Sequence, residues 1–141
     1  MINDGLKLKG KLAISLNGKI VQEVDNLVVT AGKGYVASRI KDASATAMSH
    51  MAIGSGSTAA AANDTALGNE LGRVALTSTT VSGAVVTYVA SFPAGTGTGA
   101  VTEAGILNAS SSGTLLCRTV FSVVNKGASD SMTVTWTVTV S

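Results

Sequence analysis

The stretch Gly54-Ser55-Gly56-Ser57-Thr58-Ala59 carries the residue types of a dinucleotide fingerprint, G-x-G-x-x-A, between a short apolar run and helix-forming alanines. Glycines at that spacing let a backbone turn tightly and approach a pyrophosphate at a helix N-terminus. The chemistry also needs a βαβ unit and an acid about twenty residues further on, at the end of a second parallel strand. Here "NDTALGNELGR" and alternating strands follow, without a crossover helix or a suitably placed acid, so the pattern predicts a turn. Gly18-Lys19 and Gly32-Lys33-Gly34 lack the upstream glycine and the hydroxyl residue of a P-loop.

Other reactive side chains are few. His50 is the single histidine, and one histidine in an ordinary strand supplies neither a catalytic triad nor a histidine-based metal site. Cys117 is the single cysteine, which excludes an internal disulfide framework and any cysteine-based zinc site. Its place in "TLLCRTVF" predicts a buried small hydrophobe. Glu70 and Glu103 have the residue type of a glycosidase carboxylate pair, yet such a cleft usually carries aromatic platforms, and aromatics are 4% of the chain. Glu70 with Arg73, three residues on, reads instead as a local ion pair pinning the loop that Gly54 and Gly56 open. No catalytic, cofactor-binding or metal-ligating set is expected.

The elements that must position these residues are mostly strands. In "LKLKGKLAISL", Leu6, Leu8, Leu12, Ile14 and Leu16 share one face and Lys7, Lys9 and Lys11 the other, a period-two pattern. Asn17-Gly18 is a hairpin signal, with "KIVQEV" as the returning strand. Asp25-Asn26 predicts a turn, and Thr30 an N-cap for a short accessory helix near residues 31–44, with Tyr35, Val36, Ile40 and Ala43 as its apolar stripe. Further strands are expected in "HMAIG", "RVALTSTTV", "AVVTYVASF", "AVTEAGIL", "TLLCRTVFSVV" and "SMTVTWTVTV", with a small-residue loop over 57–70 and a turn at Ser82-Gly83. Met132, Val134, Trp136, Val138 and Val140 alternate with four threonines, so the last strand has one packing face and one threonine face. Eight or so strands joined by turns predict an all-β, mainly antiparallel sandwich, jelly-roll or Greek-key-like, in a single domain over 1–141. Within it, residues 1–24 form a strand hairpin suited to serve as an assembly arm, and 25–141 form the body.

Charge narrows the function classes. Charged residues are 13% of the chain against about 25% in an average domain, which leaves the surface to Ser, Thr, Gly, Ala and Asn. Residues 74–102 and 131–141 hold no charge at all. Such a surface suits a protein held in an assembly. A net charge of +2 gives no argument for direct nucleic-acid binding, and no 20-residue apolar segment argues for a membrane. The first ten residues lack the apolar region of a secretory signal, so assembly in a cytosol is expected. In that setting the sequons at Asn63 and Asn108 signify little.

The run from Ile53 to Thr58, followed by "NDTAL" and "NELGR", resembles virion structural proteins of tailed bacteriophages, as do "VTEAGIL", "GTLLCRTVF" and "SDSMTVTWTVTV". The helix "TAGKGYVASRI" fits the same resemblance, which covers roughly residues 25–141. It implies a building block without catalytic residues: a capsid cement or decoration protein of the jelly-roll type seen on short-tailed phage heads, or a tail or fibre-attachment subunit. Because the chain stops after its last strand, the cement role is the expected one. It implies binding to the major capsid protein on the outside of the shell, self-association as a homodimer or homotrimer, and a role against internal DNA pressure. Leu6, Lys7, Leu8, Lys9 and Lys11 are the expected partner-binding residues, as an assembly strand that would pair with a neighbour's sheet edge. From another class, a small carbohydrate-binding sandwich module fits the fold but not the aromatic-poor surface.

Overall fold

Alternation at period two organises the chain, and the computed structural model, which describes residues 5–141, shows nine antiparallel strands and one helix in consequence. They are β1 (Leu8–Leu16), β2 (Lys19–Val28), α1 (Thr30–Asp42), β3 (His50–Gly54), β4 (Glu70–Ala75), β5 (Ser78–Ser82), β6 (Val85–Phe92), β7 (Gly99–Leu107), β8 (Leu115–Lys126) and β9 (Met132–Val140). The spatial order is β4-β3-β7-β8-β2-β1-β9-β6-β5. The sheet curls into a sandwich, with β2 as its fold line. Most of β2 pairs with β1, while Leu27 and Val28 at its end pair with Arg118 and Cys117 of β8. One layer is therefore β2-β1-β9-β6-β5 and the other β4-β3-β7-β8.

The inner faces meet in one core that includes Leu12, Ile14, Phe92, Val134 and Trp136 from the first layer and Met51, Ile53, Val101, Ile106 and Cys117 from the second. Burying a large apolar side chain contributes about 1.5–3 kcal/mol, so this pairing of faces is what stabilises the curl. Trp136, fully buried, needs a partner for its indole N–H, and Asn26 Oδ1 accepts it at 3.1 Å. Gly10 stands opposite Asn26 across the β1–β2 ladder, where a Cβ would overlap the Asn26 amide. Asn26 is thus a strand residue, and the turn expected at Asp25-Asn26 does not form, because β2 runs through it to Val28.

Three other expectations change. The helix starts at Thr30 itself, after Val29 as N-cap with no side-chain capping bond; the Thr30 N–H donates to Ala62 O at 2.7 Å. Of its expected apolar stripe, Tyr35 and Val36 pack on the core, but Ile40 is 76% exposed and Ala43 is the left-handed C-cap. The helix docks instead through Gly32, whose missing Cβ admits the Leu116 backbone. "RVALTSTTV" divides at Leu76-Thr77 into β4 and β5, which lie at opposite ends of the strand order. The Asn17-Gly18 hairpin forms as expected, with positive φ at both residues.

The two strands of the N-terminal hairpin are built into the sheet, and residues 1–4 of the expected arm lie outside the described residues. β1 is hydrogen-bonded to β2 on one side and to β9 along its whole length on the other, and Leu12 and Ile14 are fully buried. Over Gly10–Leu16 both edges are filled and offer no free ladder with which to extend a neighbour's sheet, whereas Leu8 and Lys9 pair with β9 alone.

Candidate functional site

The outer face of the β4-β3-β7-β8 layer holds a buried ionic centre. Glu103 on β7 and Arg118 on β8 are 0% and 2% exposed, and Arg118 Nε donates to Glu103 Oε1 at 3.0 Å. Three backbone N–H groups of the 55–69 loop also converge on the carboxylate: Gly56 at 2.6 Å, Gly68 at 2.7 Å and Asn69 at 2.7 Å. Arg118 reaches further into the loop, donating to Asp64 Oδ2 at 2.8 Å and to Thr58 O at 3.0 Å. Thr102 Oγ1 donates to Gly56 O at 2.8 Å, and Asn69 Nδ2 to Ser55 Oγ at 2.6 Å. Burial alone would raise the Glu103 carboxyl, but the N–H groups of Asn69, Gly68 and Gly56, together with Arg118, outweigh it and hold its pKa below the ordinary 4.5. The Asp64 carboxyl is likewise held low, chiefly by the Ala61 N–H and also by Arg118.

This arrangement explains the fingerprint-like glycines. A Cβ on Gly56 would overlap Glu103 Oε2, and one on Gly54 would overlap Asn69 O and lie 2.6 Å from the same carboxylate oxygen. The stretch is an anion cradle after all, with a carboxylate of its own chain as the anion. Beside it, Leu67 and Ala31 cover a second apolar cluster of Val29, Ala52, Leu107 and Leu115. This outer face is therefore roofed by the loop together with the first turn of α1.

Glu70 and Arg73 pair as expected, in a two-pronged contact of 2.7 and 3.0 Å. The segment they hold is a different one. Arg73 Nη1 donates to Ala109 O and Ser112 O, both at 2.9 Å, so the pair secures the β7–β8 connection, and the 55–69 loop is fixed by Glu103, Arg118 and Asp64. Glu70 and Glu103 are thus committed to separate partners and do not form a carboxylate pair. His50 opens β3, with Nδ1 2.8 Å from Ser49 Oγ, and Cys117 is fully buried, which pushes its thiol pKa up. Among the described residues no three His, Cys, Asp or Glu side chains gather as a metal site.

Sequence reasoning missed Asp64 and Arg118 and the role of Glu103. A signal was present: Glu103 and Arg118 are opposite charges set within "AVTEAGIL" and "TLLCRTVF", strands whose apolar neighbours imply burial. A buried charge requires a partner.

Of the expected partner-binding residues, the structure brings Leu6, Lys7, Leu8 and Lys9 together with Lys33, Val36, Ile40 and Val140 around a hollow of about 700 Å³ between α1 and the sandwich end. Lys11 stands apart from it, opposite Asp25 on β2 and Thr137 on β9. The outer face of the other layer is bare among the described residues: Thr133, Thr135, Thr137 and Thr139 of β9 lie beside Ser15, Ala13, Lys11 and Lys9 of β1 and beside Ser91, Val89, Thr87 and Val85 of β6. Apart from the lysine corner on β1, the β1, β9 and β6 positions of this face carry no charge. No protein family, curated protein or solved structure matches the chain.

Proposed function

We propose that the chain is a virion structural protein, a capsid decoration subunit that lies on the outer surface of the major capsid protein lattice and braces the head. The observation that supports this reading is the bare face of β1, β9 and β6. Over β9 and β6 its short Ser, Thr and Val side chains make a flat surface that can be desolvated against a partner without stranding a charge, while Lys9 and Lys11 of β1, with Asp25 and Glu23 beside them on β2, form a charged margin that can orient the contact. A shell presents the same lattice contact many times, so a modest contact per copy suffices. The resemblance of "IGSGST…NDTAL…NELGR" to tailed-phage virion proteins points the same way. A tail or fibre-attachment subunit would use the same surface chemistry, and the experiment separates the two.

The test is co-sedimentation of the purified protein with empty shells of the virus that encodes it, followed by reconstruction of the native particle. Wild type is expected to pellet with shells and to give density on the shell exterior. A Thr135→Glu/Thr137→Glu double variant, with its fold verified by circular dichroism, is expected to lose binding about a hundredfold through two desolvated charges. Density at the tail alone would transfer the assignment to the tail subunit; absence of both would overturn the reading.

A further inference from the structure

We infer that the chain self-associates as a two-fold dimer through the free edge of β5. Of the two terminal strands of the sheet, β4 carries the Glu70–Arg73 pair, whereas β5, Ser78-Thr79-Thr80-Val81-Ser82, holds no charge, proline or bulge, and all five residues are exposed. Among the described residues it is hydrogen-bonded to β6 on one side only. An edge of that composition lacks the usual devices that keep strands from pairing with one another.

The occupant follows from self-complementarity. In an antiparallel pair of β5 strands centred on Thr80, Thr80 faces its own symmetry mate, Thr79 faces Val81, and Ser78 faces Ser82. No position opposes like charges, and the operation closes after two copies. The apolar surface beside the edge fits the same mate. Val81 and Ile40 are 71% and 76% exposed and, with Val86, Tyr88 and Met48, line a hollow of about 390 Å³ between β5 and α1. Arg39, the one charge in it, donates to Ala43 O and Ala45 O at the end of its own helix. An added strand would bring a second Val81 to this hollow. The inference requires nothing of a shell and can fail while shell binding stands.

Sedimentation equilibrium from about 1 μM to about 1 mM is the first measurement, and the mass is expected to rise from 14.0 kDa toward twice that value. Val81→Lys, which sets a lysine in the edge and the hollow, is expected to stay monomeric with an unchanged circular dichroism spectrum. Thr80→Cys probes the dyad directly, because facing residues on antiparallel strands lie about 4.5–5.5 Å apart, within disulfide reach, while Cys117 is buried. Oxidation is expected to link Thr80→Cys into dimers at least about tenfold faster than Ala128→Cys on an exposed turn. A wild-type mass fixed at 14.0 kDa, a Val81→Lys variant that still dimerises, or equal cross-linking of the two cysteine variants would overturn the assignment.

Discussion

The two outer faces of the sandwich are built from similar strands and end in opposite states. On the β3-β7-β8 face the strands carry Ala52, Glu103, Leu107, Leu115 and Arg118, all buried because the 55–69 loop, with Ala31 of α1 beside it, lies across them. On the β1-β9-β6 face the outward residues are threonine, serine, alanine and valine, with Lys9 and Lys11 at the β1 side; most are half-buried by their neighbours, and nothing else among the described residues covers them. The difference teaches where charge is needed. A roof made of a loop rich in Gly, Ala, Ser and Thr has little apolar surface of its own, so it is held down by converging hydrogen bonds on a buried anion. A face that contributes only ladder contacts needs no such anchor and remains open to a partner.

The largest effect is expected from removing the anion. Glu103→Gln removes one of the two carboxylates paired with buried Arg118, leaving Asp64, and takes the anion away from three converging N–H groups; a loss of about 3 kcal/mol is expected in urea unfolding. Amide exchange at Gly56, Gly68 and Asn69 should accelerate more than exchange at β9. Equal acceleration everywhere would mean that the carboxylate supports the whole fold rather than the roof.

Acid offers a milder version of the same cut. Because the folded-state pKa of Glu103 lies below its ordinary 4.5, its stabilisation is fully present above that value and is lost as pH falls through the folded pKa. Wild type should therefore lose stability progressively below about pH 4.5, and Glu103→Gln should show a flatter profile there. Parallel profiles for the two proteins would assign acid sensitivity to other carboxylates, with Asp64 the first to examine.

Gly56→Ala tests the closeness of the cradle without altering charge. The added Cβ meets the Glu103 carboxylate, and overpacking of this kind costs about 1–3 kcal/mol. Smallest is the change on the open face: Thr135→Ala should shift stability by no more than about 0.5 kcal/mol. A cost above about 1 kcal/mol there would show that the threonine ladder is structural, and would remove the reason to regard it as a contact surface.

Much of the fold was legible because it rests on local periodicity. The alternation in β1 and β9, the Asn17-Gly18 hairpin and the interior place of Cys117 could be read directly, and they forced an antiparallel sandwich. What was misread involved long-range partners. Asn26 has the residue type of a turn, but it became a strand residue because the Trp136 indole, 110 positions away, needs an acceptor. "RVALTSTTV" is one continuous β-forming run, and only the tertiary path explains why it divides at Leu76: the Leu76 N–H donates to Ser49 O and the Thr77 N–H to Val89 O, on the two different layers.

The candidate site shows the same division. Glu70 and Arg73 lie three residues apart, so their pairing needed only local geometry. Glu103 is 35 residues from Gly68 and 47 from Gly56, and nothing local connects them. The sequence by itself determined which residues face inward, where the chain turns and how little charge the surface carries, because those follow from side-chain alternation and composition. Only the tertiary structure decided that β1 is an inner strand flanked by β2 and β9, that β5 ends the sheet among the described residues, and that the glycines at 54 and 56 cradle the chain's own carboxylate. Strand order and loop placement depend on contacts between distant segments, and no pattern within a single segment encodes which neighbour it will meet.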